Sequence, residues 1–62
     1  MVDLRSLGQV AYDAYAEDAG WLSIRAEHLP RWDQQDGLIQ RHWESAAQAV
    51  AYTVQEKNQA GE

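Results

Sequence analysis

The chain contains no cysteine, and for 62 residues that is the tightest limit on what it can fold into. Small domains commonly add disulfides or thiolate-bound metal to an inadequate core, and both are excluded here. Stability must come from packing. Fully burying one large apolar side chain contributes roughly 1.5–3 kcal/mol, and ordering each residue costs about 1.5 kcal/mol. The balance for so short a chain sits near zero, which predicts either very good packing or a partner. The length allows one domain.

Hydrophobic periodicity predicts an all-α fold. Residues 3–19 read as a first helix, capped by Asp3 or Ser6, with Ser6-Leu7-Gly8-Gln9 at capping-box spacing and Gly20 as the left-handed terminator. Leu4, Leu7, Ala11, Ala14 and Tyr15 form its main apolar stripe, with Val10 at the edge. Residues 36–57 read as a second helix, capped by Asp33 or Asp36. Its stripe is Ile39, Trp43, Ala46, Ala47, Val50 and Val54, with Arg41, Glu44, Ser45, Gln48 and Gln55 opposite. Residues 58–62 are expected to fray. The connector, residues 20–35, is too apolar for a free linker: Trp21, Leu22, Ile24, Leu29 and Trp32 all need burial. Pro30 makes Leu29 extended and can open a helical turn, so a short third helix near residues 30–35 fits. No segment alternates at period two long enough for a strand. The expected architecture is an antiparallel two-helix hairpin with an ordered, aromatic-rich connector strapped across it.

Four pieces of the chain, taken together, resemble a known group. They are Ala11-Tyr12-Asp13-Ala14-Tyr15, Gly20-Trp21 with Ser23, Leu29-Pro30 with Trp32-Asp33, and Ile39 with His42-Trp43 and Ala46-Ala47-Gln48-Ala49-Val50. In that order they are similar to short uncharacterised proteins of bacteriophages and prophages, many from actinobacterial hosts, over about residues 8 to 51 of this chain. The resemblance implies a small accessory protein in the cytoplasm of an infected cell. It implies no activity and carries over no functional residue.

The net charge of −5 and the scattered positions of Arg5, Arg25, Arg31, Arg41 and Lys57 argue against direct nucleic-acid binding. No apolar run approaches the ~18 residues of a membrane span, and the first residues lack the pattern of a signal peptide; a cytoplasmic location is expected. His28 and His42 have no partner ligands at zinc spacing, so no metal is expected. Asp13 and Glu17, one helical turn apart on an outward face, read as solvated carboxylates with Arg25 or Arg31 as a partner within the chain. No phosphate loop, nucleophile elbow or cofactor motif is present, and the chain is expected not to be an enzyme.

Three tryptophans and three tyrosines are a heavy aromatic load for so small a core. Trp43, Tyr15, Trp21 and Trp32 have places in it. Tyr12 does not: it lies off the main stripe on a seam with Gly8, Ala16 and Ala19, and Tyr52 lies on the polar side of its helix. The seam is either covered by the connector or left open for a partner. The leading expectation is a protein-interaction module, docking a protein partner or a second copy as a homodimer through Gly8, Tyr12, Ala16, Arg31 and Trp32. A second is a sponge for a planar, nucleotide-like ligand, stacked on the connector tryptophans with Arg25 or Arg31 on its phosphate. A third is acidic mimicry of nucleic acid by Asp13, Glu17, Asp18, Glu27, Asp33 and Asp36.

Overall fold

The computed structural model describes residues 3–60, and shows a helical hairpin: α1 (Leu7–Asp18), a connector containing one 3₁₀ turn (Trp32–Gln34), and α2 (Gly37–Ala60). The first helix is shorter at its start than its periodicity suggests. Ser6, not Asp3, caps it: Ser6 Oγ accepts from Gln9 N–H at 3.1 Å, satisfying one of the free donors of the first turn. Asp36 caps α2 by accepting from Leu38 N–H at 2.8 Å. The second helix continues through residues 58–60, which were expected to fray; residues 61 and 62 lie outside the described part.

Gly20 terminates α1 as its position predicts. With φ at +67° it sends its N–H to Glu17 O at 3.0 Å, and Trp21 sends its own to Ala16 O at 2.7 Å. This pair of bonds is a Schellman motif, closing carbonyls the helix end would leave open. The connector then folds back on itself. Ser23 N–H donates to Glu27 O at 2.8 Å, Ala26 N–H to Ser23 O at 2.8 Å and Leu29 N–H to Trp21 O at 2.8 Å, around an isolated antiparallel bridge between Leu22 and His28. Ala26 supplies the left-handed residue such a three-residue loop needs, at φ +62°. Ser23 Oγ ties the loop by accepting from Arg25 and Glu27 N–H, each at 3.2 Å. The short helix expected after Pro30 is the 3₁₀ turn, held to α2 by Gln40 Nε2 donating to Trp32 O at 2.6 Å.

The core lies on the seam of α1, not on its main stripe. Tyr12 is 3% exposed and Ala16 0%, and Gly8 is buried with them. The stripe expected to be core is open: Leu4 is 92% exposed, Leu7 50% and Tyr15 46%, and Ala14 is exposed. On α2 the covered residues are Gln40, Trp43, Glu44 and Ala47, while Ile39, Ala46, Val50 and Val54 are exposed.

Two features select this face. The first is Gly8. A Cβ there would come within 2.7 Å of the Glu44 backbone nitrogen and 2.5 Å of its Cδ, so the helices touch at a distance only glycine permits. Glu44, read from sequence as outward-facing, instead accepts from Gly8 N–H at 2.7 Å. Its carboxylate sits at the start of α1, where the helix dipole favours negative charge. The second is Tyr12. Its ring lies 5.4 Å from Trp43, 6.2 Å from Trp21, 6.1 Å from Trp32 and 6.1 Å from Tyr15. Its hydroxyl donates to Pro30 O at 2.7 Å. Four aromatic neighbours and a satisfied hydroxyl concentrate packing and hydrogen bonding at this one position.

Gly8→Ala is expected to destabilise the fold by about 1–3 kcal/mol, despite alanine's better helix propensity, as read by urea denaturation at fixed protein concentration. Tyr12→Phe keeps the ring and removes one hydrogen bond, and should cost about 0.5–1.5 kcal/mol. In the same assay Tyr12→Ala should cost about 3–5 kcal/mol. Equal effects from these two Tyr12 variants would contradict the ring's central place.

Candidate functional site

The five residues picked from sequence as a docking patch separate in the structure. Gly8, Tyr12 and Ala16 are buried within the chain's own fold; the connector and α2 cover the seam together, so these three are not presented to a partner. Arg31 is exposed and Trp32 half-buried. They line a cleft of about 480 Å³ with Asp13, Glu17, Trp21 and Asp33.

This cleft is acidic and partly self-occupied. The Arg31 guanidinium carbon lies 4.1 Å above the Trp21 ring, a cation–π contact that takes up the face a planar ligand would need. Asp13, Glu17 and Asp33 around it would repel a phosphate. The cleft therefore offers poor chemistry for a nucleotide-like ligand. It also dilutes the proposed acidic row, because Asp13 is already paired: its Oδ2 lies 3.2 Å from Arg5 Nη1. Arg5, rather than Arg25 or Arg31, is the basic partner of Asp13. Arg5 also forks onto Asp3 through Nη2 at 2.7 Å and Nε at 3.0 Å, pinning the segment before α1 to that helix. His28 and His42 are both exposed, so His42 does not flank the core. Among the described residues, no group of three or more His, Asp or Glu could hold a metal ion. No helix among them is long and apolar enough to cross a membrane.

The opposite face has a different character. Leu7, Val10 and Ala11 on α1 and Ala47, Val50 and Val54 on α2 line an open groove of about 590 Å³. Val50 is 64% exposed and Val54 52%. At 24 residues against 12, α2 is about 36 Å long and α1 about 18 Å. Beyond Ala47 the longer helix is little covered: every residue from Gln48 to Asn58 is exposed. The periodicity of α2 identified Val50 and Val54 correctly as one apolar stripe. What it could not supply was that α1 is too short to cover that stripe. No known family, characterised protein or solved structure matches the chain.

The Asp3–Arg5 fork has a titration signature. The Arg5 side chain, and then its backbone N–H, donate to the Asp3 carboxylate and lower its pKa from 3.8 to about 2. A depressed carboxylate adds stability that is present above its unfolded pKa and lost as pH falls through the folded one. The window here runs from about 4 down to about 2. Carboxyl-carbon NMR should show the Asp3 midpoint near 2 in the native chain and near the ordinary value in Arg5→Gln; an unchanged midpoint in the variant would refute the assignment.

Proposed function

We propose that this chain is a small non-enzymatic protein-interaction module, of the phage-type accessory kind its sequence resembles, acting on a protein in the cytoplasm through the apolar groove between α1 and the C-terminal half of α2. The observation that carries this reading is the placement of the aliphatic side chains. The fold buries one aromatic seam and leaves Leu7, Val50 and Val54 at least half exposed on one continuous face. Scattered exposed leucines and valines are ordinary on a small protein; an aligned set bordering a concave surface marks a contact region.

Helix energetics point the same way. Isolated helices shorter than ~12–15 residues are marginal in water, and tertiary packing supplies most helical stability in proteins. The part of α2 beyond Ala47 is exposed throughout, bordered only by the start of α1 along the groove. Its alanines favour helix intrinsically, and a partner seated on Val50 and Val54 would add the missing burial. The contact chemistry is apolar insertion with a polar rim of Gln55 and Asn58.

A photo-reactive amino acid at position 50, in the chain expressed in a bacterial cytoplasm, should form a protein adduct on irradiation. The same group at position 24, where Ile24 is fully exposed but remote from the groove, should not. No adduct from position 50, or equal yields from both positions, would overturn the reading.

A further inference from the structure

We infer that the occupant of the α1–α2 groove is a second copy of this chain, the Val50–Val54 ridge of each copy seated in the groove of the other about a two-fold axis. The inference rests on the interaction-module reading and names its partner. Three observations carry it.

The first is area. A monomeric protein of 7.0 kDa exposes about 4,000 Å², and this chain exposes 5292 Å². Discounting the two residues at each end at the full area of an extended chain still leaves roughly 800 Å² in excess. A standard protein interface takes about 800 Å² from each partner. The excess of one chain is thus what one symmetric contact removes. The radius of gyration agrees: 13.9 Å against about 11 Å for a compact domain of this length. The projecting half of α2 accounts for the elongation.

The second is charge. The chain carries −5 overall, but residues 45–58 contain one acid, Glu56, and one base, Lys57. Residues 45–58 are neutral, and four of the five excess negative charges lie in residues 3–44, which hold α1, the connector and the start of α2. A basic partner would be drawn to Asp13, Glu17 and Asp33, away from the groove. Two copies can meet through their α2 ends without bringing like charge together.

The third is shape. The groove and the ridge are parts of one surface, the requirement for an isologous contact, in which each patch serves as donor and receptor. Ala46, Ala47, Ala49 and Ala51 keep side chains short along the same helix and allow close interhelical approach. The product is a four-helix arrangement, each α2 overhang covering the open side of the partner's α1.

Sedimentation velocity on the purified full chain should give a species of twice the 7.0 kDa chain mass, and its melting temperature should rise with protein concentration. Val50→Glu and Val54→Glu place a charge in the contact twice over, and should weaken association by at least about 100-fold with far-UV circular dichroism still helical. Leu38→Glu, exposed on α2 away from the groove, should leave the mass unchanged. A single-chain mass at every concentration with a concentration-independent melt would overturn the inference, as would a dimer that survives Val50→Glu. A monomeric chain that forms an adduct with a different protein from position 50 would remove the second copy and leave the interaction module standing.

Discussion

The fold turns on the burial of Tyr12. Its ring touches Trp43 of α2, Trp21 at the end of α1 and Trp32 of the 3₁₀ turn, and its hydroxyl fixes the Pro30 carbonyl. One side chain thereby joins both helices and both ends of the connector. Burying it is worth about 2–3 kcal/mol, with about 0.5–1.5 kcal/mol more for each well-placed aromatic pair. Those amounts are large beside the small net stability available to a chain of this size. They also account for the tolerated strain at Trp21, which holds φ at +60°. A left-handed non-glycine residue costs about 1–2 kcal/mol, and the ring is repaid by contact with Tyr12 on one side and Arg31 on the other.

Choosing the Tyr12 seam has a consequence for every aliphatic residue. A helix of 12 residues can turn only one narrow face to a single neighbour. With Gly8, Tyr12 and Ala16 inward, Leu7, Val10 and Ala11 are rotated to the edge of the contact. The Gly8–Glu44 approach fixes the register: the N-terminus of α1 is held at Glu44, so α1 ends its coverage of α2 near Ala47. The exposed length of α2 is therefore set by the same contact that forms the core.

Much of this was readable from sequence, and the parts that were not share a cause. Helix type, the Ser6 and Asp36 caps, the Gly20 terminator and the anchoring roles of Trp21 and Trp32 each follow from local chemistry. The buried side of α1 did not, because periodicity ranks faces by summed hydrophobicity. That sum favours Leu4, Leu7 and Tyr15 over a glycine, a tyrosine and an alanine. It takes no account of how closely two backbones can approach, nor of a hydroxyl that finds a carbonyl 18 residues away. Glu44 reads as outward for the same reason: a carboxylate on a helix reads as solvated until a helix N-terminus is brought to it. The docking patch inherited these errors. Its three α1 members stand out in the sequence because they do not fit the apolar stripe, and they form the core. The residues on the open face fit the apolar stripe and so read as core.

Charge and apolar surface are segregated along this molecule, and the segregation bears on how it avoids indiscriminate adhesion. An exposed valine ridge on a neutral helix end is a hazard for any chain in a crowded solution. Here the same molecule carries most of its negative charge at the far end, where Asp13, Glu17 and Asp33 share one cleft. Approach of other acidic proteins is opposed within about a Debye length, about 8 Å at physiological salt, of that acidic end. In the proposed dimer, two copies meeting ridge to groove would keep their acidic ends apart.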